Sequence, residues 1–224
     1  LRFDGQGLMA GTVTALVAQK RNRERVNVYL DGEFAFGLAA SAAIRLHKGQ
    51  TLSDEEITHL RALDQVEKTH QRALNFLAYR PRSVAEVQRN LREKDVPEEI
   101  IEQEIERLER VGLLDDEAFA RYWIENRQQF KPRSARALRD ELRQKGVSGV
   151  IIEAALADFD EEEAAYRAAQ ARVSRYANLD REAFRKRLGG FLTRRGFDYG
   201  TSRGVLDRLW DEGRSGHAHV TGEE

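Results

Sequence analysis

Three hexapeptides of this chain repeat one pattern at a fixed interval: Leu91-Arg92-Glu93-Lys94-Asp95-Val96, Leu142-Arg143-Gln144-Lys145-Gly146-Val147 and Leu192-Thr193-Arg194-Arg195-Gly196-Phe197. Each follows the last by about 50 residues, a period that signals stacked supersecondary units rather than one core with a single pocket. Aligned on the motif, five columns are apolar in all three copies: Val87/Leu138/Leu188, Leu91/Leu142/Leu192, Val96/Val147/Phe197, Ile105/Leu156/Leu206 and Leu108/Phe159/Leu209. Their offsets fit two helices separated by a turn, each with one apolar stripe. An array of this kind works by presenting an extended surface to another macromolecule, which points to a binding protein rather than an enzyme.

The turn chemistry supports the repeat. Gly146 and Gly196 follow a basic last turn and suit the left-handed residue that ends a helix, while Asp95 fills that place in the first copy as a poorer but tolerated choice. Pro97 then suits a first helical position. Upstream, Arg80-Pro81-Arg82-Ser83 and Lys131-Pro132-Arg133-Ser134 recur at the same spacing. Ser83 with Glu86 makes a capping box, Ser134 offers the cap without the returning acid, and Asp180 is the expected cap of the third copy. A further helix precedes each pair, expected over 73–79, 119–130 and 164–176. Each unit thus reads as three helices, and stacking against neighbours supplies part of its core.

The first 67 residues differ. Residues 12–19, 26–30 and 33–38 alternate polar and apolar and read as strands, with Asp31-Gly32 as a two-residue hairpin turn and residues 21–25 as a basic turn. Ser53 and Glu56 form another capping box, opening a helix through Ile57, Leu60 and Leu63 that leads into the array. A small three-stranded cap fits; a coil that orders only against the first repeat is the alternative. The expected organisation is a leader without fixed structure (1–11), the cap with its helix (12–67), three-helix repeats over 68–114, 115–159 and 160–212, and a tail without fixed structure (213–224). The expected fold is mainly α, an elongated and curved tandem array with a small N-terminal β segment.

No cysteine is present, which removes disulfide scaffolds and thiolate metal sites and favours a reducing compartment. No apolar run reaches membrane-spanning length. Charged residues make up 33% of the chain, more than in an average compact globule. The net charge of −1 hides segregation. The middle helix of each repeat is basic (for example Arg136, Arg139, Arg143 and Lys145), and the following helices of the first two repeats are acidic (Glu98 to Glu109; Glu153 to Glu163). Either the basic helices form a stripe that attracts phosphates or an acidic protein surface, or basic and acidic helices pair within each repeat.

The chain carries no recognisable catalytic pattern. The five histidines form no metal-binding pair on a helix face, and Gly5-Gln6-Gly7 precedes no helix. Gly189-Gly190 falls inside a helix, where a close backbone approach is expected. The run Asp160 to Glu163 reads as a solvated helix start, and Trp123 and Trp210 as core residues or exposed anchors. No cofactor or metal is implied.

The ordered series Tyr79-Arg80-Pro81-Arg82-Ser83, Gly112-Leu113-Leu114-Asp115-Asp116, Lys131-Pro132-Arg133-Ser134, Leu142-Arg143-Gln144-Lys145-Gly146 and Phe191-Leu192-Thr193-Arg194-Arg195-Gly196-Phe197, behind a hairpin with Val28-Tyr29-Leu30-Asp31-Gly32-Glu33-Phe34, resembles the RecX family of RecA regulators. Asp95 and Ser202 depart from the family pattern. The resemblance implies a cytoplasmic, non-enzymatic protein, expected to act as a monomer. It implies binding in the groove of the RecA filament, and to RecA monomer as well, with inhibition of ATP hydrolysis, strand exchange and LexA co-cleavage. DNA would be a secondary contact. The partner-binding candidates are the repeated basic residues Arg80, Arg82, Lys94, Lys131, Arg133, Lys145, Arg194 and Arg195; each could instead serve a helix terminus or an internal pair. A direct DNA-binding repeat protein is the second reading.

Overall fold

The computed structural model describes residues 10–20 and 22–218, with side chains described to Gly213. Residues 1–9 of the expected leader, Arg21 of the basic turn, and the tail from His219 lie outside the described residues, while Gly11, the last residue assigned to the leader, already belongs to a strand. The chain divides into two compact units: one combines the chain up to Tyr79 with Asn90–Arg107, the other Arg80–Arg89 with the chain from Leu108 onward.

In the first unit, strands β1 (Gly11–Ala18), β2 (Arg25–Leu30) and β3 (Glu33–Ala39) form the expected meander. Asp31 and Gly32 both take positive φ (50° and 90°), the conformation a two-residue hairpin turn demands. The alternation buries Val13, Val28, Leu30, Phe36 and Leu38 on one face, against Leu52 and Ile57. Two short elements went unforeseen: helix α1 (Ala40–Ala43), and strand β4 (Thr51–Leu52), which pairs antiparallel with β1 to give the order β3-β2-β1-β4. Elements of four and two residues are too short to leave a periodic signal.

Helix α2 (Asp54–Leu77) starts from the expected capping box of Ser53 and Glu56. It corrects the boundary drawn at residue 67: the cap helix and the first helix of the first repeat are one continuous helix, because no Gly or Pro interrupts residues 54–77. Its burial includes polar groups that find partners. Asp64 receives Arg25 at 2.8 Å and Lys68 at 2.6 Å, and His70 Nδ1 lies 2.8 Å from Glu104 Oε1.

Helices α3 (Val84–Arg92) and α4 (Glu98–Arg110) complete the first repeat. The second comprises α5 (Asp116–Phe130), α6 (Ala135–Gln144) and α7 (Gly149–Ala155). The third comprises α8 (Glu161–Val173), which tightens into a 3-10 turn over Ser174–Tyr176, then α9 (Arg181–Arg194) and α10 (Tyr199–Ala218). The expectation of an unstructured tail from Gly213 is corrected in part, since α10 continues to Ala218. Of the fifteen residues in the apolar columns, all are buried except Phe159, which is half-buried and packs against the cores of both the second and third repeats.

The repeated hexapeptide has a physical identity. Asp95, Gly146 and Gly196 all take positive φ (55°, 82° and 95°). Behind them, the amides of Val96, Val147 and Phe197 donate to the carbonyls of Leu91, Leu142 and Leu192 at 3.3, 3.1 and 3.2 Å. The amides of Asp95, Gly146 and Gly196 donate to Arg92, Arg143 and Thr193 at 3.0, 2.9 and 2.9 Å. This is the Schellman helix stop, and two of the apolar columns supply the hydrophobic pair that accompanies it. The Gly189-Gly190 expectation is corrected: a Cβ on Gly189 would meet only the Leu206 side chain at 3.5 Å, and one on Gly190 only that of Arg194 at 3.6 Å, so no backbone approaches there.

Candidate partner-binding surface

The middle helices of the three repeats meet head to tail in the second unit. At the first joint, the Schellman end of α6 lies on the N-terminus of α3. The Ser83 hydroxyl donates to the Lys145 carbonyl at 2.5 Å while accepting from the Glu86 amide at 3.2 Å. A Cβ on Gly146 would fall 2.3 Å from the Ala85 Cβ, so only glycine fits. At the second joint, the end of α9 lies on the N-terminus of α6: the Ser134 amide donates to the Arg195 carbonyl at 3.2 Å, and a Cβ on Gly196 would fall 2.4 Å from Ser134 Oγ. Each contact sets a negative helix end against a positive one.

A carboxylate from the next repeat closes each joint. Asp116, first in α5, accepts from the Val84 amide at 2.9 Å; Glu161, first in α8, accepts from the Ala135 amide at 2.8 Å. Glu161 is therefore not the solvated helix residue expected. Burial pushes both carboxyls above their ordinary range, with Asp115 and Asp198 adding to the rise and the accepted amide hydrogen bonds opposing it. Asp160, by contrast, caps α8 as expected, accepting from the Glu163 amide at 2.9 Å.

Several basic candidates serve these joints. Arg80 grips Glu86 with both Nη atoms, at 3.0 and 2.9 Å, and Lys145 Nζ reaches the same carboxylate at 2.6 Å. Burial alone would raise the Glu86 carboxyl; the hydrogen bonds from Arg80 and Lys145 outweigh it and hold the group at about 2. Arg133 Nε lies 2.9 Å from Glu141 Oε1 but out of line for a hydrogen bond, so that contact is ionic and the Nε proton is left without an acceptor. Glu141 also accepts from Arg127 Nε at 2.7 Å and Trp123 Nε1 at 2.8 Å. The Trp123 ring is faced by Arg127 at 4.3 Å and Lys145 at 5.0 Å, which makes it a half-buried strut rather than a free anchor. Trp210 packs against Phe184, with ring centroids 5.3 Å apart.

Arg195 donates to the Pro132 carbonyl at 3.2 Å and lies over the Phe191 ring. Arg82 is half-buried, and burial together with the neighbouring Arg80 lowers its pKa. Lys94, Lys131 and Arg194 are exposed and have no ion pair among the described residues. The competing idea of pairing within repeats holds for other residues: Arg92 with Glu98, Arg139 with Glu153, and Arg181 and Arg185 with Asp207. These pairs are largely exposed and worth little each. Local motifs missed Arg127, Arg172 and Arg175, none of which belongs to the repeated hexapeptide.

The geometry defines a helical-repeat protein whose middle helices meet end to end within the second unit and which carries both paired and unpaired cations. Among the described residues, no group of three metal-binding side chains converges and no helix is long and apolar enough to cross a membrane. Four family models match in order along the chain: the regulatory protein RecX N-terminal domain over 11–53 and the RecX first, second and third three-helix domains over 70–108, 115–156 and 160–206. The chain belongs to the RecX family. The regulatory protein RecX of Limosilactobacillus reuteri is 33% identical over 89% of this chain and 76% of its own length. That of Bacillus subtilis is 30% identical over 88% and 76%. A crystal structure of regulatory protein RecX superposes with a TM-score of 0.64 at 31% identity, covering 88% of this chain and 99% of its own.

Proposed function

We propose that this protein is a non-enzymatic regulator of the RecA recombinase. It binds in the groove of the RecA filament and suppresses ATP hydrolysis, strand exchange and LexA co-cleavage, acting as a monomer in the cytoplasm. The observation that carries this reading is membership of the RecX family across all four domains in order. The head-to-tail joints add a physical reason: repeats coupled through their helix ends suit an extended partner, and a ligand bridging successive protomers favours one filament state over those that hydrolysis and exchange require.

Within this reading the cations divide by role. Lys94, Lys131 and Arg194 are available for charge-assisted contact with acidic groups on RecA or with DNA phosphates, whereas Arg80 and Lys145 share Glu86 at the first joint and Arg133 pairs with Glu141 inside its own repeat. RecA ATP hydrolysis on single-stranded DNA, titrated with the full chain, tests the proposal. Inhibition at well below one copy per RecA protomer supports filament binding, and unchanged hydrolysis with RecA of the same species refutes it. Lys131→Glu with Arg194→Glu should weaken inhibition about tenfold without altering melting.

A further inference from the structure

The two joints share a geometry but not a charge balance. At the first, Lys145 ends its helix beside Glu86, the third residue of α3, and pairs with it at 2.6 Å. At the second, Arg195 occupies the place of Lys145, but the place of Glu86 is taken by Ala137. The acid is missing. Arg195 is left among cations: burial lowers its pKa, and Arg133, Arg172 and Arg127 lower it further, with no acidic group acting against them. Among the described residues no carboxylate pairs with Arg172, Arg175 or Arg195, and Glu141 is already shared by Arg127 and Arg133. The Nε of Arg133, ion-paired with Glu141 but without a hydrogen-bond acceptor, adds its charge to the same group.

A cavity opens at this place, lined by Phe130, Pro132, Arg172, Arg175, Phe191 and Arg195. The Phe191 ring holds Arg172 at 4.3 Å and Arg195 at 5.0 Å, fixing both guanidinium groups without consuming their charge. We infer that this cavity is a phosphate-binding site, assembled because the second joint lacks the acid that neutralises the first. The three lining arginines come from different places in the chain: Arg172 from α8, Arg175 from the 3-10 turn behind it, and Arg195 from the end of α9. That arrangement suits the spread oxygens of a phosphoryl group, whereas a planar carboxylate is satisfied by one guanidinium fork. Phe130, 68% exposed at the rim, offers a flat surface to a sugar or base, which favours a nucleotide strand over an acidic peptide.

The inference extends the basic-surface reading but does not need RecA, so the two fail separately. The probe is a fluorescein-labelled 12-residue oligothymidylate, titrated with the full chain by anisotropy at low and moderate salt, with inorganic tripolyphosphate as competitor. Ala137→Glu restores the missing acid, removes no arginine, and is expected to weaken binding about tenfold at unchanged or higher melting temperature. Arg172→Gln is expected to weaken it comparably, while Arg121→Gln, whose cation pairs with Glu117 elsewhere on α5, leaves it unchanged. Loss shared by oligonucleotide and tripolyphosphate supports a general phosphate site, and loss confined to the oligonucleotide supports a strand-binding one. Absence of wild-type binding at low salt, full affinity in both Ala137→Glu and Arg172→Gln, or equal competition by a polyglutamate peptide overturns the inference. Retained RecA inhibition in Ala137→Glu would leave the regulatory proposal standing whichever way these results fall.

Discussion

The joint between the first and second repeats and the joint between the second and third use the same backbone solution. In both, a Schellman turn carries a helix C-terminus onto the N-terminus of the preceding middle helix, glycine is required by contact as well as by φ, and a carboxylate from the next repeat caps the exposed amide. Their side chains diverge. The first joint is neutralised by Glu86 between Arg80 and Lys145, and the second leaves Arg195 facing other arginines. Repetition therefore preserves the backbone joint, where geometry allows few alternatives, and leaves the charge on it free to vary.

The sharpest way to break the comparison is at the glycines. Gly146→Ala forces a Cβ into positive φ and to 2.3 Å from the Ala85 Cβ. Strain and overpacking together should cost about 3 kcal/mol, read as a lower urea midpoint. Gly196→Ala meets the Ser134 hydroxyl at 2.4 Å and Ala137 at 3.0 Å; a hydroxyl can turn where a methyl cannot, so the loss should be smaller, about 2 kcal/mol. Equal, negligible losses would mean that the joints do not persist in solution.

Next in size is the acid dependence of the first joint. The folded-state pKa of Glu86, about 2, lies below its ordinary value of 4.5. Its contribution is therefore full above about pH 4.5 and is lost as pH falls toward 2. Glu86→Gln at neutral pH should remove most of it, about 2 kcal/mol, because Arg80 and Lys145 lose their shared acceptor. Asp116 and Glu161, raised by burial, act with the opposite sign: their contribution is greatest below the ordinary carboxylate range and declines as pH rises through their elevated pKa. Amide exchange at Glu86 should accordingly quicken between pH 4.5 and 3 relative to Ala137. Equal acceleration at both amides would contradict the assignment.

The same contrast marks how far the sequence could be read. Helix stops and caps are local: Gly146, Gly196, Ser53, Ser83, Ser134 and Asp180 announced their roles within a few residues, and the structure places each in the expected cap or turn. The four-residue α1 and two-residue β4 lacked the length for a pattern, and α2 ran through a boundary that no breaker residue enforced. The joints themselves were not legible, since Val84 meets Asp116, and Ala135 meets Glu161, across long stretches of chain without a periodic signature. Of the candidate cations, spacing alone could not separate Lys145, bound to Glu86, from exposed Arg194. One clue was present in the missing acid after Ser134, but its consequence for Arg195 shows only in the structure, as does the arrival of Arg172 and Arg175 from α8 and the turn behind it.

The smallest expected effect concerns the one Schellman stop without glycine. Asp95 holds positive φ at 55° and is solvent-exposed, unlike Gly146 and Gly196, on whose Cα positions another helix end crowds. Two separate demands thus select the residue at this place. Positive φ disfavours any side chain but is tolerated by Asp, whereas close contact excludes every Cβ. Only the second demand is absolute, and it is absent where the side chain reaches water. Asp95→Gly should therefore stabilise by about 0.5 kcal/mol, the relief of left-handed strain being partly offset by greater freedom in the unfolded chain. Gly146→Asp should instead destabilise at least as much as Gly146→Ala. Thermal melts of the two variants compare φ strain with contact directly: a stability loss in Asp95→Gly larger than about 1 kcal/mol would show that the Asp95 carboxylate carries a role beyond ending the helix.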